Sequence, residues 1–518
     1  MMSASIPGGR IRVPLELAYI VAPVILICIV LVASLLDRWS VPVILIALGA
    51  GILFGSDVLG LWVFSDFLQA NQIANFALMF ILFYGGFSTQ REHFRQVALP
   101  AISLATIGVV LTALATFLVL WLLAGWRFEV ALLVAVIVSS TDAAATFSIL
   151  RRHSLPPNLS STIEIESAAN DPMAILLTLG AIEAVSHGQF STLALVGEFA
   201  WKFFGGIGFG IALGHGAVWL FNRLGPEDRG HYYVLSLSVV PLIFGLTNLA
   251  EASGMLAAFI AGYVMGNRPF VHRQGVANFF SAMATICDMS MFVLLGLLVS
   301  PSQWSGSWLQ GVVLFAVLAF IARPFAVWIG TLGMRLGRRA RLMIAWAGLR
   351  GSVPIVLSTY PMAAGLEFGN EIFNIVFFAV ILSVLIQGST LGNFSSWLGL
   401  TTPGRPKPLY NLELMTMSRS DMDLVVVDLP GPQGVQGPRI QNLNLPPGSV
   451  ITLISRGREV VAPRGDTHLE GWDQVTVLAH VADHEQVRQA LVQPFELAMR
   501  PPADGEDRDG SPPPAAEA

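Results

Sequence analysis

Residues 166–172 read Glu166-Ser167-Ala168-Ala169-Asn170-Asp171-Pro172, and they lie inside a long apolar segment. Glu166 and Asn170 are one helical turn apart, as are Ser167 and Asp171, so on a helix these four polar side chains share a face. Two carboxylates, an amide and a hydroxyl then point together in a place where water is scarce. Pro172 lacks a backbone N–H, which should leave the carbonyl of Ala168 without its helical donor and loosen the helix there. An oxygen-rich patch in apolar surroundings points to a proton or hydrated-cation site.

The rest of the chain gives that patch its setting. Of 518 residues, 54% are hydrophobic and only 12% charged. The charges are uneven: residues 15–400 are mostly apolar runs, whereas residues 401–518 read as a water-soluble segment. About thirteen stretches are long enough to cross roughly 30 Å of hydrocarbon. They lie near 15–36, 40–60, 70–88, 97–124, 129–150, 163–185, 192–221, 232–248, 252–266, 276–299, 307–334, 341–361 and 371–398. The chain therefore reads as a polytopic α-helical membrane protein in a lipid bilayer, with a small α/β domain after it. No basic tract suggests nucleic acid. Cys28 and Cys287 lie in apolar runs and read as buried free thiols.

Alternate loops carry Arg38, Arg91 and Arg95, Arg151 and Arg152, Arg223 and Arg229, Arg268 and Arg273, and the group Arg335 to Arg341. The opposite loops are nearly free of Lys and Arg. The positive-inside rule makes the first set cytoplasmic, and the C-terminal domain follows on that side, expected at the inner membrane of a cell. Thirteen spans divide into six, a linker helix and six, which gives two halves of opposite topology, as in inverted-repeat transporters. The fifth span then corresponds to the twelfth. The fifth carries Ser139-Ser140-Thr141-Asp142 and the twelfth Gly348-Leu349-Arg350-Gly351-Ser352-Val353-Pro354. Matched interruptions of this kind predict two broken helices crossing at a substrate site.

Asp142, Glu166, Asp171 and Arg350 are all expected near mid-depth, where an ionised side chain costs about 2.5–3.5 kcal/mol on insertion scales. Such groups must pair, protonate or bind an ion. Arg350 stays charged and so needs a carboxylate. Glu166 is the expected partner, which leaves Asp171 free to titrate. A buried carboxylate holds its proton more tightly than an exposed one, and a bound cation displaces that proton. If the loaded site crosses and the empty charged site does not, obligatory exchange follows. Asn170 would orient Asp171 or the break in the fifth span, while Thr141 and Ser167 offer neutral oxygens.

These residues resemble a known family. Thr141-Asp142, then Glu166 with Asn170-Asp171, then Gly348-Leu349-Arg350-Gly351 look like the sodium/proton exchanger branch of the cation:proton antiporters. The resemblance implies that Asp171 carries the ion or the proton, that Thr141, Ser167 and Asp142 surround it, and that Glu166 and Arg350 form a core ion pair. It also implies a homodimer in which a core domain moves like an elevator against a dimerisation domain. An Asn-Asp rather than Asp-Asp pair implies electroneutral exchange of one cation for one proton.

Past Thr402-Pro403-Gly404-Arg405-Pro406 come short β-like runs at Leu424–Val427, Val450–Ile454, Val460–Val461 and Val475–Leu478, then a helix over 482–498. Leu445-Pro446-Pro447-Gly448, Pro463-Arg464-Gly465-Asp466-Thr467 and Gly471-Trp472-Asp473 resemble the C-terminal half of the regulator of potassium conductance module, the TrkA C-terminal or RCK-C domain. Trp472 departs from the commoner tight Gly-Asp of that module. No G-x-G-x-x-G precedes it, so its nucleotide-binding half is not expected. The combination resembles bacterial potassium/proton antiporters of the NhaP type. The expected organisation is a transmembrane exchanger domain at 1–400, a linker at 401–408, a regulatory RCK-C domain at 409–498 and a disordered tail at 499–518.

The expected function is therefore exchange of K+, with Na+ as the second candidate, for H+, setting cytoplasmic pH and cation content. A regulated potassium efflux channel is the alternative, but no Thr-Val-Gly-Tyr-Gly-like filter run is present. An intramembrane enzyme would need a catalytic dyad that the membrane histidines do not supply. Nothing calls for a cofactor or a metal centre, and the ligand of the regulatory domain is left open. Asp288, also in an apolar run, reads equally as a packing residue or as part of the transport path. Glu198 and Lys202 are a turn apart and should pair. Tyr84-Gly85-Gly86 should permit close helix approach.

Overall fold

Apolar runs broken by Gly, Pro and short polar clusters give helices that differ widely in length. The computed structural model describes residues 15–36, 43–62, 64, 66–142, 155–187, 192–224, 229–299, 301–400, 422–431, 435–457 and 459–498. The chain divides into two units, Met1–Gly404 and Arg405–Ala518. The first holds helices α1 (Leu15–Leu36), α2 (Val43–Phe54), α3 (Phe67–Ser88), α4 (Phe94–Leu123), α5 (Phe128–Ile137), α6 (Pro157–His187) and α7 (Thr192–Arg223). It continues with α8 (Arg229–Leu249), α9 (Gly254–Gly266), α10 (Arg273–Leu297), α11 (Trp308–Gly330), α12 (Arg338–Trp346), α13 (Ser352–Ser358) and α14 (Gly369–Trp397).

Among the described residues, eight helices are long and apolar enough to cross a membrane, and four apolar helices are shorter. Each of the thirteen expected stretches contains helix, but not all as one long span: α5 stops after ten residues, and the twelfth stretch is divided into α12 and α13. Large apolar side chains point outward along the helices, among them Leu99, Phe204, Trp219 and Val234. Such a surface suits acyl chains, because helices satisfy their own backbone polar groups in lipid.

Close helix crossings need residues without side chains. A methyl group at Gly86 would lie 2.0 Å from the carbonyl oxygen of Phe259, and one at Gly262 would lie 2.1 Å from that of Phe83. α3 and α9 therefore meet backbone to backbone, as the Tyr84-Gly85-Gly86 reading expects. Pro172 behaves otherwise than expected, since α6 runs unbroken through it for 31 residues. Glu198 and Lys202 pair within α7. Cys287 is buried, but Cys28 is exposed, since its face of α1 is not covered by another of the described helices.

The second unit is a small α/β fold. Strands β1 (Met422–Asp428), β2 (Gln436–Arg439), β3 (Val450–Arg456), β4 (Glu459–Val461), β5 (His468–Glu470) and β6 (Gln474–His480) form an antiparallel sheet of order β1-β6-β3-β4 and a pair β2-β5. Helix α15 (His484–Ala498) buries Val487, Leu491 and Phe495, spaced one turn apart, with Ile454, Val475 and Val477 of the sheet. Arg456 bonds both oxygens of the buried Asp473 (2.9 and 2.8 Å), Glu470 (2.6 Å) and the carbonyl of His468 (2.8 Å). Trp472 takes a left-handed φ of 74°, a position that favours glycine. The expected linker at 401–408 and tail at 499–518 lie outside the described residues.

Candidate functional site

Two short polypeptide segments cross without helical structure, and each cluster of polar residues has a reason to break its helix. Ser139 turns its hydroxyl back onto the carbonyl of Val136 at 2.7 Å, competing with the backbone ladder at the end of α5. The chain then runs non-helically through Thr141 and Asp142, and residues 143–154 lie outside the described set. On the other strand of the crossing, α12 ends at Trp346, and Ala347 to Gly351 are non-helical before α13 begins at Ser352. The Asp142 N–H donates to the carbonyl of Leu349 at 2.8 Å, and Ser352 N–H donates to Asp142 Oδ2 at 3.4 Å. Arg350 Nη1 donates to the carbonyls of Ser139, at 3.0 Å, and Ser140.

The electrostatics of the crossing are reciprocal. A helix end leaves carbonyls without donors and carries partial negative charge. Arg350 places its cation at the end of α5. A helix start leaves N–H groups unpaired, and Asp142 places its carboxylate at the start of α13. Both glycines of the Gly-Leu-Arg-Gly motif are required by space. A Cβ at Gly351 would fall 1.5 Å from Asp142 Oδ2, and one at Gly348 would fall 2.5 Å from Arg323 Nε.

Helix α6 brings its polar face to this crossing, as the spacing of residues 166 to 171 requires. Asn170 Nδ2 donates to Thr141 Oγ1 at 2.8 Å, and the Thr141 N–H donates to Asn170 Oδ1 at 3.3 Å. Ser167 Oγ donates to the Thr141 carbonyl at 2.6 Å and lies 3.0 Å from Thr141 Oγ1. Thr141, Ser167 and Asn170 are therefore locked together, and all three are buried. Asp171 lies beside them. Its Oδ1 and the nearby Ser140 Oγ are enclosed, with no hydrogen-bond partner in the protein. Asp142 and Arg350 both act on Asp171 by charge. A carboxylate oxygen and a hydroxyl enclosed close together form an oxygen set suited to a hard monovalent cation, or to a proton on the carboxylate.

The expected ion pair is corrected. Glu166 bonds Arg323, not Arg350: Arg323 Nη2 lies 2.5 Å from Glu166 Oε1, with 3% and 1% of the two side chains exposed. Arg350 is turned to the carbonyls of Ser139 and Ser140 and meets Glu166 only through space. The reason is geometric. Arg323 follows directly on a π-turn at Leu318–Ala322 in α11 and passes over Gly348, where no side chain blocks it. Sequence reasoning passed over Arg323, although a lone arginine inside an apolar span is itself a signal.

Other polar residues support the crossing. The backbone N–H of Arg350 donates to Ser383 Oγ at 3.1 Å, and Ser383 donates to Gln387 Oε1 at 2.6 Å. Gln387 in turn holds the carbonyl of Trp346 at 3.2 Å. Toward α3, Asn71 bonds Thr359, Asn75 bonds Asn71, and Tyr360 donates to Asn75 at 2.5 Å. Asp288, half-buried on α10, is in electrostatic reach of Asp142.

Comparison with known proteins bears on this geometry. Residues 24–397 match the family profile described as sodium/hydrogen exchanger, transmembrane. The chain is 36% identical over 479 residues to a protein of Shewanella oneidensis named K(+)/H(+) antiporter NhaP2, covering 90% of this chain and 81% of that one. It is 31% identical over 471 residues to K(+)/H(+) antiporter NhaP of Alkalimonas amylolytica, covering 90% and 82%. The Na(+)/H(+) antiporter NhaH of Halobacillus dabanensis is 26% identical over 58% of this chain and 76% of its own length. The fold is similar to that of the sodium proton antiporter MjNhaP1 of Methanocaldococcus jannaschii, with a TM-score of 0.64 at 21% identity, over 72% of this chain and 99% of that one.

Proposed function

This chain belongs to the sodium/hydrogen exchanger family, and from that premise we propose that Asp171 is the group that trades a proton for the transported cation. The protein is a cation/proton antiporter of the membrane. The observation that carries the assignment is the enclosed, unpartnered Asp171 Oδ1 beside the unpartnered Ser140 Oγ at the crossing of two broken helices. Thr141, Ser167 and Asn170, already bonded to one another, hold the break in place. Thr141 and Ser167 offer neutral oxygens and Asp142 a second carboxylate. Glu166 and Arg323 form the fixed pair of the core, and Arg350 clamps the end of α5.

The mechanism follows from charge. A protonated Asp171, or Asp171 with a monovalent cation, is neutral and can move through a low-dielectric barrier. The bare carboxylate cannot do so cheaply. Occupation of one carboxylate by either species gives obligatory exchange, electroneutral when one cation replaces one proton. K+ is the favoured cation because two relatives similar over 90% of the chain are named K(+)/H(+) antiporters. Na+ is the alternative, in line with the name of the Halobacillus relative. The paired breaks favour two inverted repeats. The small α/β unit reads as a regulatory RCK-C domain on the cytoplasmic side of an inner membrane, in a homodimer.

Proteoliposomes with an acidified lumen test the reading. Adding K+ outside should dequench a lumenal pH dye, with Na+ and Li+ setting the selectivity order. The flux should persist when valinomycin clamps the membrane potential. No response from any of the three cations would sink the proposal.

A further inference from the structure

Arg323 and Arg350 both line a cavity of about 10 Å³ inside the membrane unit, together with Ala319, Gly348, Ala379, Ser383 and Gln387. Each arginine is 2% exposed. Arg323 Nε, Arg350 Nε and Arg350 Nη2 are enclosed and have no hydrogen-bond partner in the protein. A guanidinium only donates, and a buried N–H on a charged group is costly to leave unmet. The other polar groups of the wall do not meet that need. Ser383 Oγ already accepts from Arg350 N and donates to Gln387 Oε1, while Gln387 Nε2 bonds the carbonyl of Trp346. The enclosed donors thus belong to two residues of the cavity wall, and the cavity volume is at the lower end of what one water molecule occupies.

The helices around it depart from regular geometry on the sides that face it. The π-turn Leu318–Ala322 contains Ala319 and ends next to Arg323, and the π-turn Ser383–Gly388 contains both Ser383 and Gln387. π-turns are rare and tend to occur at functional sites. We propose that one small hydrogen-bond acceptor, a water molecule or a halide ion, is bound between Arg323 and Arg350. It accepts from Arg323 Nε and from Arg350, and holds Arg350 where it bonds the carbonyls of Ser139 and Ser140. The site stands on these contacts alone and does not depend on which group carries the transported ion.

The test is cryo-electron microscopy of the full chain in lipid nanodiscs, at a resolution that shows ordered water, in potassium chloride and in potassium gluconate of equal ionic strength. Density at about 2.7–3.2 Å from Arg323 Nε and an Arg350 nitrogen is the expected result. Density in both salts identifies water, and density in chloride alone identifies a halide; either supports the site. No density in either salt overturns it, as does a structure in which Arg350 Nε and Nη2 bond a protein acceptor. A second arm narrows the cavity with Ala379→Val. That variant should lose the density and melt at a lower temperature than the parent. An unchanged melting midpoint with the density gone would overturn the claim that the acceptor holds Arg350.

Discussion

Glu166→Gln, Arg323→Met and Arg350→Met, singly and in pairs, separate the two candidate ion pairs of the core. Glu166 and Arg323 are nearly fully buried and 2.5 Å apart. Removing either partner leaves the other as a buried charge, which typically costs about 3–5 kcal/mol. Replacing both leaves no such charge, so the double variant should cost less than either single change, with a coupling above about 1 kcal/mol. Arg350 bonds two backbone carbonyls and touches Glu166 only through space. Its coupling to Glu166 should therefore be the smaller of the two. Unfolding titrations with sodium dodecyl sulfate in mixed micelles give the four free energies of each cycle. A larger coupling for Glu166 with Arg350 than for Glu166 with Arg323 would refute the pairing, and so would singles that cost nothing.

Three further outcomes are expected. Gly351→Ala places a carbon 1.5 Å from Asp142 Oδ2, so it should displace Asp142 and strongly reduce antiport in proteoliposomes; wild-type flux would contradict the close crossing. Arg456→Met should destabilise the C-terminal unit by about 2–3 kcal/mol, because Asp473 is left buried without its partner; limited proteolysis of the full chain should then cleave that unit first. In the loop after α2, Asp57 accepts from the N–H and the hydroxyl of Ser302 at 3.0 and 2.7 Å, which holds its carboxyl below the usual Asp value. Its small stabilising contribution is complete above the ordinary Asp pKa of about 3.9 and lost as pH falls through the lowered one. Asp57→Asn should remove that pH dependence from melting curves below pH of about 4 and leave neutral-pH melting nearly unchanged.

Much of the site was legible from the chain because its parts obey local rules. Glu166, Ser167, Asn170 and Asp171 share a face by helical spacing, and Asn170 and Ser167 do bond Thr141 across from them. Gly348 and Gly351 mark the break because only a residue without a side chain fits against Arg323 and Asp142. The strands of the C-terminal unit follow β-branched alternation, although β2 and β5 are too short for that signal and emerge only from their pairing. What escaped depends on distance in sequence. Arg323 is 157 residues from Glu166 and became its partner through a π-turn that no spacing rule anticipates. The missing N–H of Pro172 predicts a loosened helix, yet α6 runs through it. The ladder of Asn71, Asn75, Thr359 and Tyr360 likewise joins residues nearly 300 positions apart, as the separations of 288 and 285 show.

The most direct measurement concerns Asp171 itself. Purified protein in weakly buffered detergent solution is titrated with KCl or NaCl, and the protons released are followed with a pH dye. If Asp171 holds either a proton or a cation, the wild type should release a proton for each cation bound, and Asp171→Asn should release none. Undiminished proton release from a folded Asp171→Asn variant would contradict the assignment.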